Sequence, residues 1–193
     1  MSFFKNNSYD IVRLWINQIG IAIFTLMLYT AVGFVEFDND TTAVAVKAGV
    51  SVFCIAFYFF LIYNVCWECG AKDKIRIDGG KQGATPLRGA LMSLFANLPN
   101  FVLAGLCLIF VLVYLLSSLG GFYTAFGVVN LILRFHSSLY LGVIQAVTPI
   151  ADVPVDFLVE SALYLILPLL SVLVSHIAYT LGSREKRLFA SKK

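Results

Sequence analysis

The chain has 193 residues, of which 60% are hydrophobic, 15% aromatic and 13% charged, with a mean hydropathy of +0.87. A soluble domain carries about 25% charged residues, so the composition excludes a water-soluble globule and indicates an integral membrane protein. The net charge of +3 says little as a total, because in such a chain the placement of charge carries the information.

The first apolar run covers about 14–35 and follows a short start with Lys5 and Arg13. Ala31–Gly33 resembles a signal-peptidase site, but the run is long for a signal segment and Asn17 and Gln18 interrupt its start. An uncleaved anchor is expected. The second run covers about 43–66 and leads into Cys66-Trp67-Glu68-Cys69-Gly70. Gly70 is placed as a helix cap, and "KDKIR" (72–76) as a solvated face beyond it. A redox role for the cysteine pair wants a second pair, and zinc wants four ligands. Neither is present, so the pair reads first as a helix end, with regulatory thiols or weak metal binding as the lesser reading.

The third run is too long for one perpendicular helix. Thr85-Pro86 reads as an N-cap followed by proline in the first turn, and a helix from there to Ser117 would be about 48 Å long. A cytoplasmic elbow helix from Pro86 to about residue 98, broken at Pro99, is expected to precede a span over 99–117. The linker and elbow together cover 67–98. Residues 118–156 hold two apolar arms around the polar knot "RFHSS" (134–138), and Pro149 and Pro154 end the segment. Each arm is too short to cross a bilayer. The last span covers about 157–181.

Charge decides the direction. With four spans and both termini cytoplasmic, twelve of the fourteen Lys and Arg residues lie inside: Lys5, Arg13, Lys72, Lys74, Arg76, Lys81, Arg88, Arg184, Lys186, Arg187, Lys192 and Lys193. Lys47 and Arg134 lie outside with Glu36, Asp38, Asp40, Asp152, Asp156 and Glu160, the last three read as a solvated rim. A fifth span would move the basic tail outside, against the positive-inside rule, and put Arg134 near mid-bilayer at a cost of about 2.5 kcal/mol or more. Segment 118–156 is therefore expected to lie on the outer leaflet or to dip into it and return.

Polar side chains within spans are the best functional pointers in a membrane sequence. Asn17, Gln18, Asn64, Asn97, Asn100 and His176 bring an amide or imidazole from all four helices to the cytoplasmic half. They read as interhelical glue or as a polar pocket. Arg134 and His136 are candidates for an anion or lipid headgroup, since arginine suits bidentate oxyanion contacts. The sequence carries no nucleotide-binding loop, zinc-protease motif or nucleophile elbow. No catalytic residue, metal, cofactor or nucleic-acid partner is expected.

Three stretches carry a resemblance: "WINQIGIAIFTLML" (15–28), "YNVCWECGAKDKIRIDGGKQGATPLRGAL" (63–91) and "YTLGSREKRL" (179–188). They resemble small multi-pass proteins of Gram-positive, clostridia-type bacteria with no assigned activity. The resemblance implies a bacterial plasma-membrane location, a four-helix layout and closure of the second helix at Gly-Ala-Lys-Asp.

The expected architecture is an all-α integral membrane protein. It has four transmembrane helices, an outer-leaflet re-entrant or interfacial segment and a cytoplasmic elbow. The expected role is a non-enzymatic accessory or complex subunit whose partners are membrane lipids and another membrane protein. A small-solute transport component working with separate ATPase subunits is the alternative. An enzyme acting on lipid headgroups through Arg134 and His136 comes third.

Overall fold

The computed structural model describes residues 2–37, 39–81, 83, 85–148 and 154–186. Asp38, Pro149, Asp152, Arg187, Lys192 and Lys193 lie outside the described residues. Everything regular among those described is helical: α1 Ser2–Gly33, α2 Asp40–Asp78, α3 Arg88–Ala96, α4 Leu98–Ser117, α5 Gly120–His136, α6 Leu141–Val147 and α7 Pro154–Ser183. A single 3₁₀ turn, Ser138–Tyr140, joins α5 to α6. Four helices are long and apolar enough to cross a membrane: α1, α2, α4 and α7. A chain this apolar satisfies its backbone polar groups without water by closing them into helices.

The exposed surface is rich in large apolar side chains such as Met27, Phe53, Leu116, Leu131 and Leu173, whereas Gln18, Asn97, Asn100, Asp73 and Glu160 are buried. That distribution inverts the soluble pattern.

The helices divide into two compact units. The first comprises Met1–Asn17, Tyr58–Ala96 and Leu169–Lys193. Here α2 does not stop at Gly70, as the cap reading and the resemblance had it, but runs on to Asp78. Its true end is a Schellman motif: Lys81 N–H donates to Arg76 O and Gly80 N–H to Ile77 O, with Gly80 at φ +69°. The extra turns are charged but helix-competent, and carry Lys72–Glu68 and Lys74–Asp78 pairs one turn apart.

Gly70 instead serves packing. A Cβ there would overlap the Tyr179 carbonyl of α7, and one on Gly182 would overlap the Trp67 carbonyl of α2. The two backbones touch, and each glycine makes room for the other helix. The buried face of α7 continues this seam with Ser171, Ser175 and Ala178, spaced one turn apart. Small residues let membrane helices approach closely where no hydrophobic force drives them together. Gly89 of α3 abuts Ser175 and Tyr179 in the same way. The Trp67 indole closes the end of α7 by donating to the Lys186 carbonyl at 2.7 Å.

A short helix, α3, lies within the stretch read as an elbow and starts at Arg88, two residues after Pro86. Thr85 does not cap it through its side chain; its carbonyl accepts from Arg88 N–H, and its hydroxyl lies 3.4 Å from the Tyr179 hydroxyl. One face of α3 is buried through Arg88, Gly89, Met92, Ser93 and Ala96. The other exposes Leu91, Leu94 and Phe95, with Leu87 just before it.

The second unit comprises Gln18–Phe57 and Asn97–Pro168. Pro99 lies in the first turn of α4, where a missing N–H costs nothing. At its other end α4 closes with Ser118 in the left-handed conformation, φ 54°, its N–H bonded to Tyr114 O. After Leu119 the chain reverses into α5. Ring contacts Phe110–Phe122 and Tyr114–Tyr123, together with Ser137 on Asn100 at 2.8 Å, run in opposite chain directions. The two helices are thus an antiparallel hairpin.

Between α5 and the Ser138–Val147 segment the axis bends by 83°, and the bend is buried. The Ser138 hydroxyl donates to Ala22 O on α1 at 2.7 Å. Gly142 N–H is shared by the Tyr29 hydroxyl of α1 at 2.7 Å and the Ser51 hydroxyl of α2 at 2.9 Å. Tyr29 lies seven residues beyond Ala22, about 10 Å along the helix. The chain therefore descends along α4, grips α1 at Ala22, and turns back toward the Gly33 end of that helix.

Candidate functional site

Of the six polar residues singled out in the spans, Asn97 and Asn100 meet. The Asn100 amide donates to Asn97 Oδ1 at 3.1 Å, and its own oxygen accepts from the Ser137 hydroxyl. Gln18, also in the second unit, is buried with neither amide atom hydrogen-bonded. The remaining three belong to the first unit, where no hydrogen bond among the described residues joins them. Asn17 and His176 are half-buried. Asn64 is exposed and returns its amide to Phe60 O at 2.9 Å, one turn back on its own helix.

Arg134 closes a two-pronged ion pair on Glu160. Its Nε and Nη2 each stand 2.7 Å from a carboxylate oxygen. Two parallel N–H···O bonds are the strongest geometry open to an arginine. Glu160, expected on a solvated rim, is 2% exposed; it lies inward on α7 because it meets Arg134 there. His136 is two residues from Arg134, a spacing that points side chains to different faces of a helix. The two do not form one site.

Beside the ion pair lies an open cleft of about 250 Å³ between α5 and the start of α7. Tyr123, Phe126 and Phe157 form its wall, with Phe126 and Phe157 ring centroids 4.9 Å apart. Gly127 leaves its mouth wide, while Asn130 and Arg134 supply polar groups. Asn130 is 5% exposed and its amide nitrogen has no hydrogen-bond partner. The lining thus joins aromatic surface to the side chains of Asn130 and the Glu160-paired Arg134.

A second polar cluster, in the first unit, was not foreseen. Asp73, read as part of a solvated run, is 1% exposed. Arg88 Nη1 reaches both its oxygens, at 2.5 and 2.6 Å, and the Tyr179 hydroxyl donates to it at 2.7 Å. Arg88 Nη2 also faces Asp10 at 3.8 Å. Asp73 follows Cys66 by seven residues and Cys69 by four, so all three share the inward face once α2 is known to continue. All acceptors on Asp73 are engaged, and the cluster reads as a clamp joining α2, α3 and α7.

Cys66 and Cys69 are buried free thiols. Burial, with Asp10 beside it, pushes the Cys69 thiol above its ordinary range, and a protonated thiol is a poor nucleophile and metal ligand. Among the described residues no three His, Cys, Asp or Glu side chains gather as a metal set.

No protein family, no curated protein and no solved structure matches the chain.

Proposed function

We propose that the chain is a multi-pass protein of a bacterial plasma membrane with both ends cytoplasmic, and that it serves as a non-enzymatic subunit of a membrane complex. Helices α1, α2, α4 and α7 cross. The α5–α6 pair enters from the outer side, turns at the depth of Asn100 and returns, held at its bend by Ser137, Ser138 and Gly142. Helix α3 lies in the cytoplasmic interface, its leucine-rich face toward acyl chains and its Arg88 face toward the protein. A helix with one apolar and one polar face suits that boundary.

One observation carries the subunit reading: the polar groups that a catalyst or carrier would offer are largely spent on each other. Asn97 and Asn100 bond each other and Ser137, Arg134 is bound to Glu160, and Arg88 to Asp73. What remains for interaction is outer surface. The transport alternative keeps support from Gln18, buried with both amide atoms unbonded. Headgroup chemistry through Arg134 and His136 gains none, since the arginine fork is closed and the histidine faces elsewhere.

Native mass spectrometry of tagged protein, gently extracted from its own host, separates these readings. A stoichiometric membrane-protein companion is the expected result. ATPase subunits, or a stoichiometric polar solute, would replace the subunit reading with the transport one.

A further inference from the structure

We infer that a second copy of this chain docks on the outer face of α2, with Asn64 of each copy bonded to Asn64 of the other. The inference rests on the membrane-subunit reading above and names the companion. Charge marks the depth. Arg13 of α1 pairs with Glu68 of α2 at 3.1 Å, at the cytoplasmic edge. The stretch 48–67 before Glu68 carries no charge and is about 30 Å long, the thickness of a hydrocarbon core. Asn64 lies one turn inside that edge, about 6 Å in, and is exposed. One of its amide N–H groups is bonded to Phe60 O. The other N–H and Oδ1 have no partner among the described residues, and hydrocarbon supplies none.

The occupant follows from the amide itself. An amide offers donor and acceptor together, so its complement is another amide. A two-fold axis along the membrane normal makes the contact isologous and sets Asn64 against Asn64 at equal depth. The rest of the face fits such a pairing. Along the continuous helix α2, Phe53, Phe57, Phe60 and Asn64 are all exposed and follow one another at spacings of four, three and four residues. That is the repeat of a left-handed two-helix seam, in which a single asparagine specifies register and partner number. Glu68 flanks the seam, but Arg13 and Lys72 neutralise it, so two copies do not repel there. The seam ends at Trp67, whose indole is held by the Lys186 carbonyl.

Two measurements on the full chain test the pairing. In native membranes, Phe60→Cys on the seam is compared with Leu173→Cys, a comparably exposed position on α7, after treatment with copper phenanthroline. The four native cysteines are buried, so the added thiol reports the contact. In liposomes, energy transfer between labelled chains at varied protein-to-lipid ratio gives the dimer dissociation constant of wild type, Asn64→Leu and Asn64→Gln.

The expected result is a disulfide-linked species of twice the chain mass from Phe60→Cys and little or none from Leu173→Cys. Asn64→Leu should weaken association about tenfold while melting within a few degrees of wild type, because its only internal bond is to its own helix. Asn64→Gln, which keeps the amide, should retain most of the affinity. Equal cross-linking at both positions, or Asn64→Leu pairing as tightly as wild type, would overturn the inference. A Phe60→Cys adduct of any other mass would also overturn the second copy, while leaving the subunit reading standing. Failure to co-fractionate with membranes would instead overturn the membrane reading on which both rest.

Discussion

Replacing Arg88 with alanine is expected to cost about 3–5 kcal/mol, the usual penalty for stripping a buried charge of its partner. Asp73 is almost completely enclosed, and Arg88 bonds both its oxygens. Tyr179 and the half-exposed Arg76, 3.9 Å away, would remain, and neither replaces the buried guanidinium that bonds both oxygens. Against a total stability of about 5–15 kcal/mol, the melting temperature of detergent-purified protein should fall by about 10 °C. Arg88→Lys should recover only part, because an ammonium cannot reproduce the fork. The double change Asp73→Leu with Arg88→Met should melt well above Arg88→Ala, since an apolar pair of similar size often substitutes for a buried ion pair. Arg13→Ala provides the contrast. Its 3.1 Å pair with Glu68 is about 40% exposed on each side, and such pairs contribute about 0–1 kcal/mol. If Arg88→Ala melts like Arg13→Ala, the cluster is not a clamp.

Gly70→Ala and Gly182→Ala should each destabilise by about 3 kcal/mol, the upper end for overpacking a core. The added methyl meets a carbonyl of the opposite helix in both cases. Backbone cannot swing aside as a side chain does, so α2 and α7 must separate along the seam. The same substitution at Gly20 or Gly49, where nothing lies within 4 Å, should be neutral or raise stability by up to about 1 kcal/mol, because alanine suits a helix better than glycine. Identical chemistry with opposite signs makes the comparison decisive: equal effects at all four positions would remove the packing role of Gly70 and Gly182.

These two sites mark where the sequence was hard to read. Four long apolar helices and the break near Pro99 were plain from hydropathy and proline chemistry. Which face of each helix turns inward was not, because lipid and protein interior are equally apolar and amphipathic periodicity fades. Gly70 carries the signature of a cap, and only the Tyr179 carbonyl opposite shows it to be a contact. Asp73 sits among lysines, so its charge suggested water, yet its spacing from Cys66 and Cys69 already placed it on their face. Glu160 resembled the acids before it, and only the Arg134 fork, 26 residues away in sequence, explains its burial. Asn64 erred the other way: a single amide in a span reads as inward, but bonding to Phe60 O lets it face outward. In the candidate cleft, Arg134 was legible from charge, whereas Asn130 and the aromatic wall were not, since asparagine and aromatics recur along the whole chain.

The sidedness of the C-terminal tail tests the four-span reading most directly. Variants with one added cysteine, Glu36→Cys, Lys81→Cys and Arg184→Cys, all at exposed positions, can be treated with a membrane-impermeant maleimide in intact and permeabilised cells. Background is low because the four native cysteines are buried. Four spans with a returning α5–α6 segment predict that Glu36→Cys is labelled in intact cells, and that Lys81→Cys and Arg184→Cys are labelled only after permeabilisation. Labelling of Arg184→Cys from outside would mean that the α5–α6 segment crosses as a fifth span, and would contradict the topology proposed for this protein.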